Sequence, residues 1–285
     1  MPDSTPPLVS TEWLAARLGD PAVRVLDASW YLPSQGRDGR AEYLAGHIPG
    51  AGFFDLDEAS DPGSPLPHML PDDARFAAIA GALGIGDGAT VVVYDGSGAN
   101  MSAARAWWMF RAYGHEATTL LDGGLGKWKA EGRPLERGEA RSGPRSFTAR
   151  LDRRRVRDGA AVGALDGAAQ VVDARAADRF EARAPEPRAG VRSGHVPGSR
   201  NVPFTSLVRP DGTLLHPAGL RRRFAEAGVD PARPVVALCG SGVSACAVLH
   251  ALAVLGGDGT LYDGSWTEWG SSDRPIETGP AREGP

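Results

Sequence analysis

The stretch Pro234-Val235-Val236-Ala237-Leu238-Cys239-Gly240-Ser241-Gly242-Val243-Ser244-Ala245-Cys246 runs from an apolar tetrad straight into a cysteine, then a glycine loop. The tetrad reads as a buried strand, Val235–Leu238. Gly240 and Gly242 predict a tight loop with its backbone N–H groups turned inward, because glycine takes positive φ without steric cost. A helix is expected over Ser244–Leu255. Inward amides followed by a helix N-terminus make a cradle for negative charge. A thiol set in that cradle is expected to have a lowered pKa and to act as a nucleophile. The alternative, a small buried hydrophobe closing a strand, fits this context less well.

The same sentence is written once before, with one word changed. Val91-Val92-Val93-Tyr94-Asp95-Gly96-Ser97-Gly98 aligns with Val235–Gly242 and carries Asp95 where Cys239 stands. Four further matches keep the same order. Val25-Leu26-Asp27-Ala28 is echoed by Val171-Val172-Asp173-Ala174, and Gly46-His47-Ile48-Pro49-Gly50 by Gly194-His195-Val196-Pro197-Gly198. Leu121-Asp122-Gly123-Gly124 is echoed by Tyr262-Asp263-Gly264-Ser265, and Arg133-Pro134-Leu135-Glu136 by Arg274-Pro275-Ile276-Glu277. A period of about half the chain is too long for a solenoid and indicates two homologous globular domains. We expect domains over 1–138 and 158–285, joined by a linker over 139–157 that is rich in Arg, Gly, Ser and Pro.

Strands are expected at 23–26, 91–94 and 118–121, and again at 171–173, 235–238 and 260–262. Helices are expected at 11–18, 72–83 and 102–113, and at 218–227 and 244–255, with Ser10 and Pro71 as starts. Alternating strands and helices predict an α/β fold in which each domain is a mainly parallel sheet flanked by helices. Ligands in such sheets lie beyond the carboxyl ends of strands, which points at the loops after Tyr94 and Leu238.

Composition narrows the function. The chain has 285 residues, 31 Lys plus Arg against 35 Asp plus Glu, and a net charge of −4. That excess is not the basic stripe of a nucleic-acid binder. No stretch has the ~18 consecutive apolar residues of a membrane span, and Met1-Pro2-Asp3-Ser4 does not begin a signal peptide, so a cytoplasmic protein is expected. Two cysteines, Cys239 and Cys246, make neither a disulfide framework nor a zinc cluster. Cys246 is read as core packing or, alternatively, as a redox partner of Cys239. Neither metal nor organic cofactor is signalled.

These motifs together resemble the tandem rhodanese-domain sulfurtransferases. The resemblance rests on the Cys239 loop, Asp27-Ala28-Ser29-Trp30-Tyr31-Leu32-Pro33, His47-Ile48-Pro49-Gly50-Ala51, His68-Met69-Leu70-Pro71, Trp107-Trp108-Met109-Phe110-Arg111 and Asp263-Gly264-Ser265-Trp266. It implies two rhodanese-like domains, the first inactive and the second catalytic. Loops of the type Cys-Gly-Ser-Gly-Val-Ser/Thr are similar to the branch that uses 3-mercaptopyruvate, whereas the thiosulfate branch carries an Arg-Lys pair after the cysteine. Here Gly240-Ser241 replaces that pair. The rationale is electrostatic: two cations beside the thiol favour a compact dianion, while mercaptopyruvate needs a carboxylate clamp.

The resemblance implies a Cys239 persulfide, with Arg179 and Arg188 as the clamp and Gly240, Gly242, Val243 and Ser244 as substrate-binding loop positions. Arg175 is a further candidate, as partner of Asp173. A Cys–Ser–His–Asp arrangement carries over onto Cys239, Ser241, His47 and Asp38. His47 also has a structural reading, since His195 recurs at the equivalent turn, and so does Asp38. Ser244 is read as a helix N-cap as well as a substrate contact. His68, His115, His216 and His250 show no metal-ligand spacing and are read as surface or core residues. Expected partners are a small sulfur donor and an acceptor such as cyanide, a small thiol or reduced thioredoxin. Thiosulfate:cyanide sulfurtransfer and a persulfide carrier for a partner protein remain alternatives. A cysteine phosphatase needs an arginine closing the loop, and residues 240–246 contain none.

Overall fold

A computed structural model describes residues 5–140, 142–165 and 167–281. Two compact units divide the chain. The first holds β1 (Leu8–Val9), α1 (Thr11–Ala15), β2 (Val23–Asp27), α2 (Gly39–Ala45), β3 (Gly52–Phe53), α3 (Asp73–Ala82), β4 (Thr90–Tyr94), α4 (Met101–Ala112), β5 (Thr118–Leu121) and α5 (Gly124–Ala130). The second holds β6 (Val156–Arg157), α6 (Gly159–Gly163), β7 (Gln170–Asp173), α7 (Ala177–Phe180), β8 (Arg200–Asn201), α8 (Pro217–Glu226), β9 (Val235–Leu238), α9 (Ala245–Val254), β10 (Gly259–Tyr262) and α10 (Ser265–Gly270).

Each unit is a five-stranded sheet of the same topology, β1-β5-β4-β2-β3 in the first and β6-β10-β9-β7-β8 in the second. Every pairing is parallel. The middle strands are short and largely apolar, as in a sheet covered on both faces: all four residues of β9 are buried, as are Val91, Val92, Val93 and Tyr94 of β4. Helix starts follow side-chain chemistry. Ser10 accepts from Trp13 N–H at the head of α1, and Asp72, not Pro71, accepts from Arg75 N–H at the head of α3. His216 plays the same part for α8.

Two boundaries differ from the sequence expectation. The first unit comprises residues 1–62, 70–152 and 209–214; the second comprises 63–69, 153–208 and 215–285. Residues 139–152 are therefore no free linker. Their polar composition conceals a line of hydrogen bonds to the first unit: Arg145 N–H to Gly81 O, Thr148 N–H to Asp87, Arg150 N–H to Tyr113 O and Asp152 N–H to Ala112 O. Phe147 fixes the segment by packing among Phe76, Phe110 and His115. The two short exchanged segments have no apolar period that would betray them.

Candidate active site

Cys239 ends β9, the middle strand of its sheet, and is 2% exposed. Its peptide is held from the neighbouring strand's loop. Ser265 Oγ accepts from Cys239 N–H at 3.1 Å and donates to Tyr262 O at 2.8 Å. Trp266 N–H donates to Cys239 O, while Thr267 donates to Gly240 O through both N–H and Oγ1, at 2.9 and 2.6 Å. The loop itself turns at Gly242, whose φ of +76° a side chain would strain.

Among the described residues, the amides of Gly240, Ser241, Val243 and Ser244 have no recorded hydrogen-bond acceptor. Ser244 stands at the N-cap position of α9 as expected, but in helical conformation and without a side-chain hydrogen bond to the helix. Those four amides are thus able to donate to a ligand. Ser241 and Val243 are nearly buried within this loop. Cys246 is fully buried, its sulfur 3.4 Å from Gly242 O.

Two arginines reach the loop from the segment after β7. A methyl group placed on Gly240 would stand 3.3 Å from Arg179 Nη2 and 4.0 Å from Arg188 Nη1. Arg179 is held by Glu186, with Nη2 donating to Oε2 at 2.5 Å and Nε to Oε1 at 3.3 Å. Glu186 also accepts from Arg175 Nη1 at 2.7 Å. Arg175 is buried, bonded to both oxygens of Asp173 and to Gly194 O, and lies 4.5 Å over the Trp266 ring. Burial works against its charge, but Asp173 and then Glu186 more than offset this, and its pKa is held above the ordinary arginine value. Arg188 has no ion-pair partner among the described residues.

The histidine beside the loop is not the expected one. His68 Nδ1 lies 3.0 Å from Ser241 Oγ, and His68 is 6% exposed with φ +59°. A buried histidine held in that strained conformation beside a loop hydroxyl is a candidate proton-handling group. It belongs to residues 63–69, a Pro- and Ser-containing loop whose only sequence signal was its motif.

His47 and Asp38, expected either in a catalytic arrangement or in structural roles, each have local partners that fit the structural reading. His47 Nδ1 meets Tyr43 O at 2.9 Å, its ring stacks on Tyr43, and its main chain bridges to Glu136. His195 repeats this arrangement with Phe180 and Glu277. The recurrence is that of a fold residue. Asp38 caps α2 by accepting from Ala41 N–H. Glu186, which the sequence reading passed over, is the carboxylate joining the two arginines.

Among the described residues no group of three or more His, Cys, Asp or Glu is placed to hold a metal ion, and no helix is long and apolar enough to cross a membrane. The candidate site is a thiol in a glycine loop, with a hydroxyl–imidazole pair and two guanidinium groups alongside.

Known proteins fit this geometry. The model of the rhodanese-like domain matches residues 10–131 and 160–272. The 3-mercaptopyruvate sulfurtransferase of Rattus norvegicus is 47% identical over 92% of this chain and 91% of its own length. The thiosulfate sulfurtransferase of Cricetulus griseus is 42% identical over 92% and 91%. The crystal structure of SseA from Escherichia coli, described as showing the rhodanese fold of 3-mercaptopyruvate sulfotransferases, matches with a TM-score of 0.83 and 41% identity, covering 92% of this chain and 99% of that one. Since both halves carry the domain and each ends its middle strand in the same glycine loop, the chain belongs to the rhodanese family as a tandem pair of rhodanese-like domains.

Proposed function

We propose that the chain is a sulfurtransferase that takes sulfur from 3-mercaptopyruvate onto Cys239 as a persulfide, releases pyruvate, and hands the sulfur to a thiol or cyanide. The observation that carries the reading is the loop 239–244, in which one thiol stands with the amides of Gly240, Ser241, Val243 and Ser244 and with two arginines over Gly240. Relatives named for this activity, close in sequence over nearly the whole chain, support it.

The chemistry follows from those parts. Arg179 and Arg188 grip the donor's carboxylate and ketone with planar forks, which aims its sulfur at Cys239. The Cys239 thiolate forms a sulfur–sulfur bond as the donor's carbon–sulfur bond breaks. The electron pair leaves on carbon as pyruvate enolate, which takes up a proton to become pyruvate. Ser241 and His68 lie where they can move that proton. The loop amides stabilise the negative charge on the cysteine sulfur before attack and after transfer. In the second half a nucleophilic acceptor takes the outer sulfur and returns the Cys239 thiolate. The covalent intermediate divides one difficult transfer into two.

A reducing, cytoplasmic setting suits a chain whose two cysteines form no disulfide, and reduced thioredoxin is proposed among the acceptors. The test is steady-state transfer to cyanide with 3-mercaptopyruvate and thiosulfate in parallel, followed by mass spectrometry of the protein after donor alone. We expect kcat/KM higher for mercaptopyruvate by about tenfold or more, and a gain of one sulfur on Cys239. Folded, reduced protein inactive with both donors would sink the reading. A preference for thiosulfate would keep the persulfide and replace the donor.

A further inference from the structure

We infer that Glu186 is a positioning residue that sets the donor site's net charge at one positive, and thereby selects a monocarboxylate donor over a dianionic one. The inference rests on the sulfurtransferase reading above and adds the group that governs donor choice.

The geometry is a line of alternating charges running from the end of β7 to the loop. Asp173 neutralises Arg175 through contacts of 2.6–3.1 Å. Glu186, with a side chain only 4% exposed, spans Arg175 and Arg179. Asp178, which accepts from Arg179 N–H, is exposed and screened by water. With Arg175 answered by Asp173 and Arg179 by Glu186, the remaining cation is Arg188. One uncompensated guanidinium matches one carboxylate.

The contact does two things at once. Two of Arg179's donor nitrogens are occupied by Glu186, which fixes the plane of the guanidinium over Gly240. Its charge is also largely cancelled, so Arg179 serves the donor as an oriented hydrogen-bond donor more than as a free cation. A dianion such as thiosulfate gains from every additional uncompensated charge near the thiol, whereas a ketoacid monoanion gains mainly from correct orientation. Removing the Glu186 charge should therefore move the two donors in opposite directions.

The test is Glu186→Gln in the full chain, measured with both donors at several salt concentrations. Loss of orientation lowers kcat/KM for mercaptopyruvate, and the added net charge raises that for thiosulfate, so their ratio shifts by about tenfold or more toward thiosulfate. The gain with thiosulfate should fall with added salt more steeply than in the wild type. Glu186→Asp retains the charge and should keep the donor ratio near the wild-type value. Equal losses with both donors in Glu186→Gln, or an unchanged ratio, would overturn the inference by leaving Glu186 a mere structural tie.

A second arm needs no variant. Wild-type protein should be inhibited by pyruvate more strongly than by sulfate; equal or stronger inhibition by sulfate would also overturn the inference. Its failure differs from failure of the sulfurtransferase reading, in which the wild type turns over neither donor.

Discussion

The two glycine loops share a backbone turn and differ in what occupies it. Gly98 and Gly242 both have φ +76°, and Leu125 N–H binds Asp95 O as Trp266 N–H binds Cys239 O. In the first unit the cradle is filled from within. Asp95 accepts from Ser97 N–H and Oγ, from Ser102 Oγ and from Ala103 N–H, at 2.6–3.1 Å. Ser97 Oγ accepts in turn from Ala99 N–H, and Gly96 N–H binds Ser29 Oγ. Arg37 is spent on Glu42, Tyr31 and Gly96 O. In the second unit the equivalent amides of Gly240, Ser241 and Val243 have no acceptor among the described residues. A carboxylate at this position satisfies the loop amides from within, and a thiol leaves them able to donate elsewhere.

The sharpest way to break this contrast is to remove the thiol. Cys239→Ser should lower turnover by about 10⁴-fold or more while leaving the thermal midpoint near that of the wild type. Retained sulfur transfer would refute the assignment.

The opposite substitution should show up in stability instead. Asp95→Ala strips four hydrogen bonds from a buried loop and should destabilise the first unit by about 2–4 kcal/mol in chemical denaturation. Below the unfolding transition the persulfide should still form on Cys239. A variant as stable as the wild type would mean that the filled cradle contributes nothing.

A smaller effect sharpens the picture on the open side. Ser241→Ala removes the hydroxyl that meets His68 and should reduce kcat by about tenfold. Its pH profile should differ from the wild type's; an unchanged rate and profile would remove the pair from the mechanism.

The smallest effect concerns Asp27 and Asp173, which hold the same place in the two repeats. Asp173 faces Arg175, whereas Asp27 faces Ser29 and its Oδ2 has no hydrogen-bond partner among the described residues. Burial raises the Asp27 pKa above the ordinary 3.8. A folded-state pKa raised in this way disfavours the native state at pH above it, and the penalty fades as pH falls through it. Asp27→Asn should therefore stabilise the protein by about 1 kcal/mol at neutral pH, with no gain below the ordinary carboxyl range. Denaturant midpoints at pH 7 and about pH 3 check this; a loss at pH 7 would show that the carboxylate is needed.

Much of this was legible in the chain. Apolar runs located β2, β4, β5, β7, β9 and β10 because buried parallel strands carry no polar alternation. The strands β1, β3, β6 and β8 were not legible, since two residues show no period. Cys239, Ser241, Arg179 and Arg188 were readable because local sequence and motif spacing bring them to one loop. His68 and Glu186 were not: one arrives on an exchanged segment, and the other is a carboxylate among many until its two arginines are seen. His47 could not be assigned from the chain because a repeated motif marks a shared fold as readily as a shared function, and its repeat His195 has the same kind of local partners.

Segment 63–69 has a practical consequence. By position it is part of the half whose own loop is closed; by packing it belongs to the other. A change at His68 is written in the first half of the chain and felt beside Ser241 in the second unit. Cutting the chain at the end of the first repeat would therefore take from the second unit a piece of its own packing.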